Sequence, residues 1–261
     1  MKKLSWLNKL VFFTAIILIS CWNSSLAQAI TGNSPVALFY QANIYYQEGK
    51  YDEAIEDYQK IIDQGQESGN LYYNLGNSYF KKGELGLAVL SYERARSFIP
   101  NDSDLKSNYD YTLQRLNLEP QLFGSWFERM VDGLFQIVSI NSMTIFMSVI
   151  YIILIVFFIL NLLFSGLRRV FRWFIYVLVA LLICSGLALN RQISYTHKMA
   201  VVISKEIDVK FEPLENATTY FKLNQGNKVL VVEKVKNWLK IKRFDNKLGW
   251  VSQDALRLVI F

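Results

Sequence analysis

The spacing of apolar positions changes several times along the 261 residues, and each change marks a different kind of element. Leu10–Ile19 is a short, largely apolar run preceded by Lys2, Lys3 and Lys9. From about residue 35 to 118 apolar residues recur at helical spacing. Residues 121–138 carry a stripe at intervals of four (Leu122, Trp126, Met130, Leu134, flanked by Phe123, Phe127, Val131 and Phe135) against polar Gln121, Ser125, Glu128, Arg129 and Asp132. That pattern predicts an amphipathic helix, lying either at a membrane interface or against the preceding helices. Met143–Phe164 has 22 residues without a charge, and Val170–Leu189 is a second apolar stretch interrupted only by Arg172. Beyond residue 198 the period shortens to about two, which predicts strands.

Residues 35–118 repeat themselves at a shift of 34. The shift superposes Ala42 on Gly76, Tyr45 on Tyr79, Gly49 on Gly83, Ala54 on Ala88 and Tyr58 on Tyr92. Small residues let two antiparallel helices approach closely, the tyrosines fill the adjoining space, and each glycine follows a helix where the chain needs a left-handed residue. With Ala95 and Pro100 completing the second copy, the pattern resembles the tetratricopeptide (TPR) repeat; the first copy departs from it at Ile61 and Gln66. Two repeats leave an open end, so a capping helix is expected after Asn101-Asp102-Ser103-Asp104, carrying Leu105, Tyr109, Leu113 and Leu116. The resemblance places a peptide-binding groove on the first helix of each pair, at Phe39, Asn43 and Tyr46 and at Asn70, Tyr73, Asn77 and Phe80. Asn43 and Asn77 are equivalent and offer both donor and acceptor to a peptide backbone. Phe39 and Tyr73 stand where carboxylate-clamp TPRs carry Lys, which argues against capture of a C-terminal carboxylate. The same face could instead pack on a later part of this chain.

The N-terminal layout is that of a secretory signal, with small residues at Ser25-Leu26-Ala27. Cleavage near Ala27, lipidation at Cys21 in Leu18-Ile19-Ser20-Cys21, and retention as an anchor all remain open, and each exports the domain that follows. The two apolar stretches reach the roughly 20 residues that span hydrocarbon. Arg168, Arg169 and Arg172 at their tight connection predict a cytoplasmic turn, so the second span returns the chain to the exported side. Neither stretch contains Asp or Glu, which argues against an ion pathway.

Residues 198–261 show five or more short alternating segments separated by turn clusters such as Asn224-Gln225-Gly226-Asn227 and Asp245-Asn246-Lys247. A small β-barrel follows, since closure limits exposed edges. Trp238-Leu239-Lys240-Ile241 followed by Gly249-Trp250-Val251 resembles a bacterial SH3 domain. Trp250 is expected in the core and Trp238 at a partly exposed platform. Trp238, Lys240, Lys242 and Arg243 mark its candidate surface, within a basic set that also includes Lys234, Lys236 and Lys247. That set reads as a solvated face, or as a site for an acidic partner (the TPR region among them) or for anionic lipid headgroups.

Composition narrows the functions. The chain is 52% hydrophobic and only 19% charged, with two Cys and one His. These counts exclude a disulfide-stapled fold and an ordinary Cys/His zinc site. The net charge of +6 hides an acidic stretch: residues 28–119 hold eight basic against thirteen acidic side chains, and residues 198–261 twelve against seven. An acidic front half argues against nucleic acid. No Ser/His/Asp set and no phosphate loop is present, no cofactor is implied, and His197 lies beside the second span, so catalysis is not expected.

The expected fold class is therefore a multi-domain membrane protein: α-helical TPR repeats (34–118 with the cap), an amphipathic segment (120–140), a two-helix transmembrane hairpin (143–164 and 170–189 around an Arg loop at 165–169), and a C-terminal all-β SH3-like barrel (198–261). Taken in that order the modules resemble the BatE-type TPR/SH3 membrane proteins of the Bacteroides aerotolerance (Bat) operon. The resemblance implies a bacterial inner-membrane protein with periplasmic modules and no enzymatic activity, linked to oxidative-stress tolerance. It also implies partnership with Bat membrane proteins that carry von Willebrand A domains, and a neighbouring MoxR-type ATPase gene. Peptidoglycan binding through the SH3-like domain is the alternative reading.

Overall fold

The computed structural model describes residues 34–119, 123 and 138–259. The signal-like segment and nearly all of the amphipathic stripe lie outside them. Two compact units divide the chain at Glu67/Ser68.

The first unit holds α1 (Pro35–Gln47) and α2 (Tyr51–Asp63). Ser34 starts α1 by accepting the Ala37 N–H on its side chain at 3.2 Å, with Pro35 in the first turn. Gly49, at φ 77°, ends it in the left-handed conformation that glycine adopts without steric cost. Ala42, Ala54 and Tyr58 are fully buried.

The second unit opens with α3 (Gly69–Lys82), capped by Ser68, and α4 (Leu85–Phe98), joined through Gly83 at φ 84°. Gly76 lets the two helices close: a Cβ there would lie 2.6 Å from the Tyr92 ring. Helix α5 (Ser103–Arg115) starts on Asp102, whose carboxylate accepts the Leu105 N–H at 2.8 Å, and buries Leu105, Tyr109 and Leu113.

Two longer helices follow, α6 (Ile140–Leu163) and α7 (Arg168–Lys198), joined by the three-residue 3-10 turn Ser165–Leu167 and packed on each other. Both are long and apolar enough to cross a membrane, and only 11% and 6% of their most apolar windows are buried. A core helix would be covered, whereas these two leave most of their apolar side chains exposed. Helix α7 runs nine residues past the apolar stretch, because no Gly or Pro interrupts Asn190–Lys198. It passes into the first strand at Met199 with no linker.

The strands are β1 (Met199–Val202), β2 (Glu206–Lys210), β3 (Thr219–Asn224), β4 (Lys228–Val235), β5 (Trp238–Lys242), β6 (Leu248–Ser252) and β7 (Leu256–Leu258). They form one sheet in the order β3-β2-β6-β5-β4-β1-β7, with every pairing antiparallel. Its core gathers Ala200, Val202, Val209, Leu223, Val229, Leu239, Ile241, Val251 and Leu256. Trp250 is buried with them.

Candidate functional site: helical repeat faces and a barrel surface

In the first unit, Asn43 Oδ1 accepts the Tyr58 hydroxyl at 2.6 Å, and the Phe39 and Tyr58 rings lie 6.0 Å apart. Tyr46 packs edge-on against Tyr51 at 5.6 Å. The second unit repeats this: Asn77 Oδ1 accepts the Tyr92 hydroxyl at 2.8 Å. Each Asn–Tyr pair is separated by fifteen residues, so the 34-residue repeat reproduces a tie between the two helices of a pair. The asparagine carbonyls expected to receive a peptide are thus already engaged inside their own repeats. Tyr58 and Tyr92 are fully buried and Tyr79 nearly so; Tyr45 is half-exposed, with Lys50 Nζ 5.8 Å from its ring centre.

Helix α5 covers part of the face built by α3. Asn108 Nδ2 donates to the Tyr73 hydroxyl and to Asn77 Oδ1, both at 2.9 Å, and Tyr111 packs on Phe80 at 5.6 Å. Asn70 remains exposed. The reading in which this face receives a later part of the chain therefore describes Tyr73, Asn77 and Phe80. On α1, Val36, Tyr40 and Ile44 form an exposed apolar row at intervals of four.

The second repeat and α5 dock on the barrel through a buried charge cluster that periodicity cannot reveal. Glu93 Oε1 accepts from Tyr109 Oη at 2.5 Å and from Lys228 Nζ at 2.7 Å, with Arg96 Nη1 at 3.3 Å. Burial favours the neutral carboxyl, but the charges of Lys228 and Arg96 and the hydrogen bonds outweigh it and hold the group at about 2. The same burial, with the carboxylate alongside, pushes the Tyr109 hydroxyl well above its ordinary value. Arg94 donates from Nε to the Val259 carbonyl at 2.9 Å and from Nη2 to the Leu258 carbonyl at 3.0 Å. Two glycines admit the contact. A Cβ at Gly86 would lie 2.9 Å from the Val202 carbonyl oxygen, and one at Gly226 (φ 82°) 2.5 Å from Leu116 Cδ1. An acidic helical region does meet the basic barrel, but through Lys228 and Arg94, neither of which belongs to the basic set singled out from the sequence.

That set lies along β5 and on the turns at its two ends. Trp238 is half-buried with Lys210 Nζ 5.5 Å from its ring centre, and Lys240 lies 3.5 Å from Glu233 and 5.5 Å from the Trp250 ring centre. Lys242 closes the strand, opposite Leu230. At that end Arg243 Nε donates to Asp245 Oδ1 at 2.8 Å and Nη2 to Oδ2, while its Cζ sits 4.5 Å from the Phe221 ring centre. The guanidinium holds the Asp245 carboxyl at about 2. Beside it Phe211 and Tyr220 pack at 4.4 Å, and Phe211, Tyr220 and Phe244 are all exposed. The sequence reading missed this aromatic face. The signal was present in β3, where inward Phe221 and Leu223 force Tyr220 outward. Arg168, Arg169 and Arg172 stand together at the start of α7, exposed.

Three family models match. Residues 42–83 match a TPR repeat, residues 69–102 a tetratricopeptide repeat and residues 206–257 a bacterial SH3 domain. The chain thus combines TPR repeats with a bacterial SH3 domain. No curated protein matches it.

Proposed function

We propose that the chain is a non-enzymatic scaffold, held in a bacterial inner membrane by the α6–α7 hairpin, with its TPR and SH3 modules gathering protein partners in the periplasm. The observation that carries this reading is the combination in one unit of two interaction modules, docked through the Glu93–Lys228 pair, with two helices whose apolar surfaces are left uncovered. The three arginines at the helix connection favour a cytoplasmic turn, and α6 and α7 then leave the barrel on the side where the chain entered. The order of modules further supports membership of a Bat-type aerotolerance complex, with partners that are membrane proteins bearing von Willebrand A domains. The test is affinity capture of the full chain from native membranes, with Tyr40→Ala/Ile44→Ala and Phe211→Ala/Phe244→Ala variants. Loss of A-domain proteins with either pair supports the scaffold, and their absence from the wild-type capture refutes Bat membership. A C-terminal reporter active only in the cytoplasm would overturn the orientation.

The second reading, peptidoglycan binding through the SH3 domain, is favoured by the exposed Phe211, Tyr220 and Phe244, since aromatic faces stack on sugar rings and apolar peptide stems. Sedimentation of the detergent-solubilised chain with peptidoglycan, abolished by Phe211→Ala/Phe244→Ala, would establish it.

A further inference from the structure

We propose that the β4–β5 hairpin of the barrel docks on anionic lipid headgroups, an inference that rests on the membrane reading of α6 and α7. Its first support is register. Helix α7 enters β1 at Met199 without a linker, and Met199 pairs with Leu230 of the antiparallel β4. Residues 231–237 therefore run past the start of β1, back along the direction from which α7 arrives, and α7 packs against β4.

The second support is length. The apolar part of α7 ends at Leu189, and Asn190–Lys198 adds nine helical residues, about 13 Å at 1.5 Å each. From Leu230 to Val235 the strand retraces about 16 Å at 3.3 Å per residue. The headgroup layer outside the hydrocarbon is about 5–8 Å thick. The tip of the hairpin thus returns to the level of the headgroups, while the turn at the other end of β5, with Arg243, Phe244 and Asp245, points away from them.

The third support is chemistry. Val232 (56% exposed) and Val235 project from the hairpin uncovered. Lys234 and Lys236 are exposed beside them, and Lys236 forms the turn itself in a left-handed conformation. The single acid of the hairpin, Glu233, lies 3.5 Å from Lys240 and is balanced by it. Two apolar side chains flanked by two uncompensated ammonium groups match a layer of phosphates over hydrocarbon, whereas an acidic protein surface would leave the valines unmatched.

The test uses the full chain with Cys21→Ser and Cys184→Ser, one copy per lipid nanodisc, and a fluorophore on a single introduced cysteine. Val235→Cys and Val232→Cys report the hairpin, Phe244→Cys the far turn and Phe158→Cys the span. In discs containing phosphatidylglycerol, labels at 235 and 232 should be protected from iodide relative to 244. Lys234→Gln and Lys236→Gln should each weaken that protection about fivefold, the factor expected for one cation at an anionic surface. High salt should remove it. Equal quenching at 235, 232 and 244 overturns the proposal. Protection that persists in uncharged phosphatidylcholine and in high salt also overturns it, because the cover is then the chain itself. Exposure of the label at 158 refutes instead the membrane reading beneath it.

Discussion

Replacing Lys228 by Met removes one partner from the Glu93 cluster and leaves the carboxylate buried. Breaking a buried ion pair from one side costs about 3–5 kcal/mol. Arg96 remains 3.3 Å from Glu93 and Tyr109 still donates, so the lower end applies, about 3 kcal/mol. The carboxyl itself gives a similar figure. Its fall from 4.5 to about 2 corresponds to about 3 kcal/mol of net stabilisation of the charged form by the folded surroundings. A carboxyl with a depressed folded value contributes stability that is complete above about pH 4.5 and lost as pH falls towards 2. Urea unfolding of the detergent-solubilised chain, followed by tryptophan fluorescence, should therefore show Lys228→Met less stable by about 3 kcal/mol at pH 7, with the gap to wild type narrowing at pH 3. The triple variant Glu93→Leu/Tyr109→Phe/Lys228→Met should recover most of the loss, because apolar replacement of a buried pair is close to neutral once the Tyr109 hydroxyl, which would lose its acceptor, is removed with it. A single variant within about 0.5 kcal/mol of wild type would refute the clamp, as would a triple variant no better than the single.

Three further outcomes follow from contacts in the second unit. Gly86→Ala adds a good helix former to α4, worth about 1 kcal/mol, but drives a methyl into the Val202 and Ile203 backbone at 2.9 and 3.2 Å; the net effect is a loss of about 1–2 kcal/mol, and a raised melting temperature would contradict the close approach. Asn77→Ala and Asn108→Ala each lose about 1–2 kcal/mol, and because Asn108 donates to Asn77 the double variant costs at least about 0.5 kcal/mol less than their sum; strict additivity in denaturation would show that the bond carries nothing. Asp245→Asn changes stability by less than about 1 kcal/mol, since the Arg243 pair is partly exposed, and what it contributes is present above about pH 4 and disappears towards pH 2; a larger effect in a thermal melt would mean that the turn organises more of the barrel.

The periodic parts of the molecule were legible because the physics that sets the period is local. Gly49 and Gly83 could be placed at helix ends from the 34-residue shift alone, and both take left-handed conformations. The alternation in Trp238–Lys242 gives the observed strand and burial pattern residue for residue. The short β7 was not separated from its surroundings, because three residues after a 3-10 turn carry too little alternation to register. The extension of α7 to Lys198 was missed for a different reason: hydropathy ends at Leu189, but the backbone continues where nothing breaks it. The Glu93–Lys228 contact joins residues 135 apart and obeys no spacing rule, so only the folded chain reveals it. Asn43 and Asn77 show the limit of repeat logic. Equivalence correctly implied a shared role, and the geometry gives them one, bonding a buried tyrosine of their own repeat.

Docking and chain continuity together decide how the second unit can act. Gly86 meets Val202 and Ile203 at one end of β1, while Arg94 meets Val259, whose N–H donates to the Met199 carbonyl at the other end. Eight residues of helix cover about 12 Å and three residues of strand about 10 Å, so α4 lies along the length of β1. Since β1 is the direct continuation of α7, the second TPR repeat packs on a strand that is joined to the apolar hairpin with no intervening linker. On the scaffold reading, a partner bound at the barrel's aromatic face would be held close to the helices at a height set by the α7–β1 junction. The ordering entropy that a tethered module would lose on binding has already been spent in folding. A flexible linker would serve a scaffold that must search for its partners. A clamped one suits a scaffold whose partners, if membrane-anchored themselves, come to it in a fixed plane.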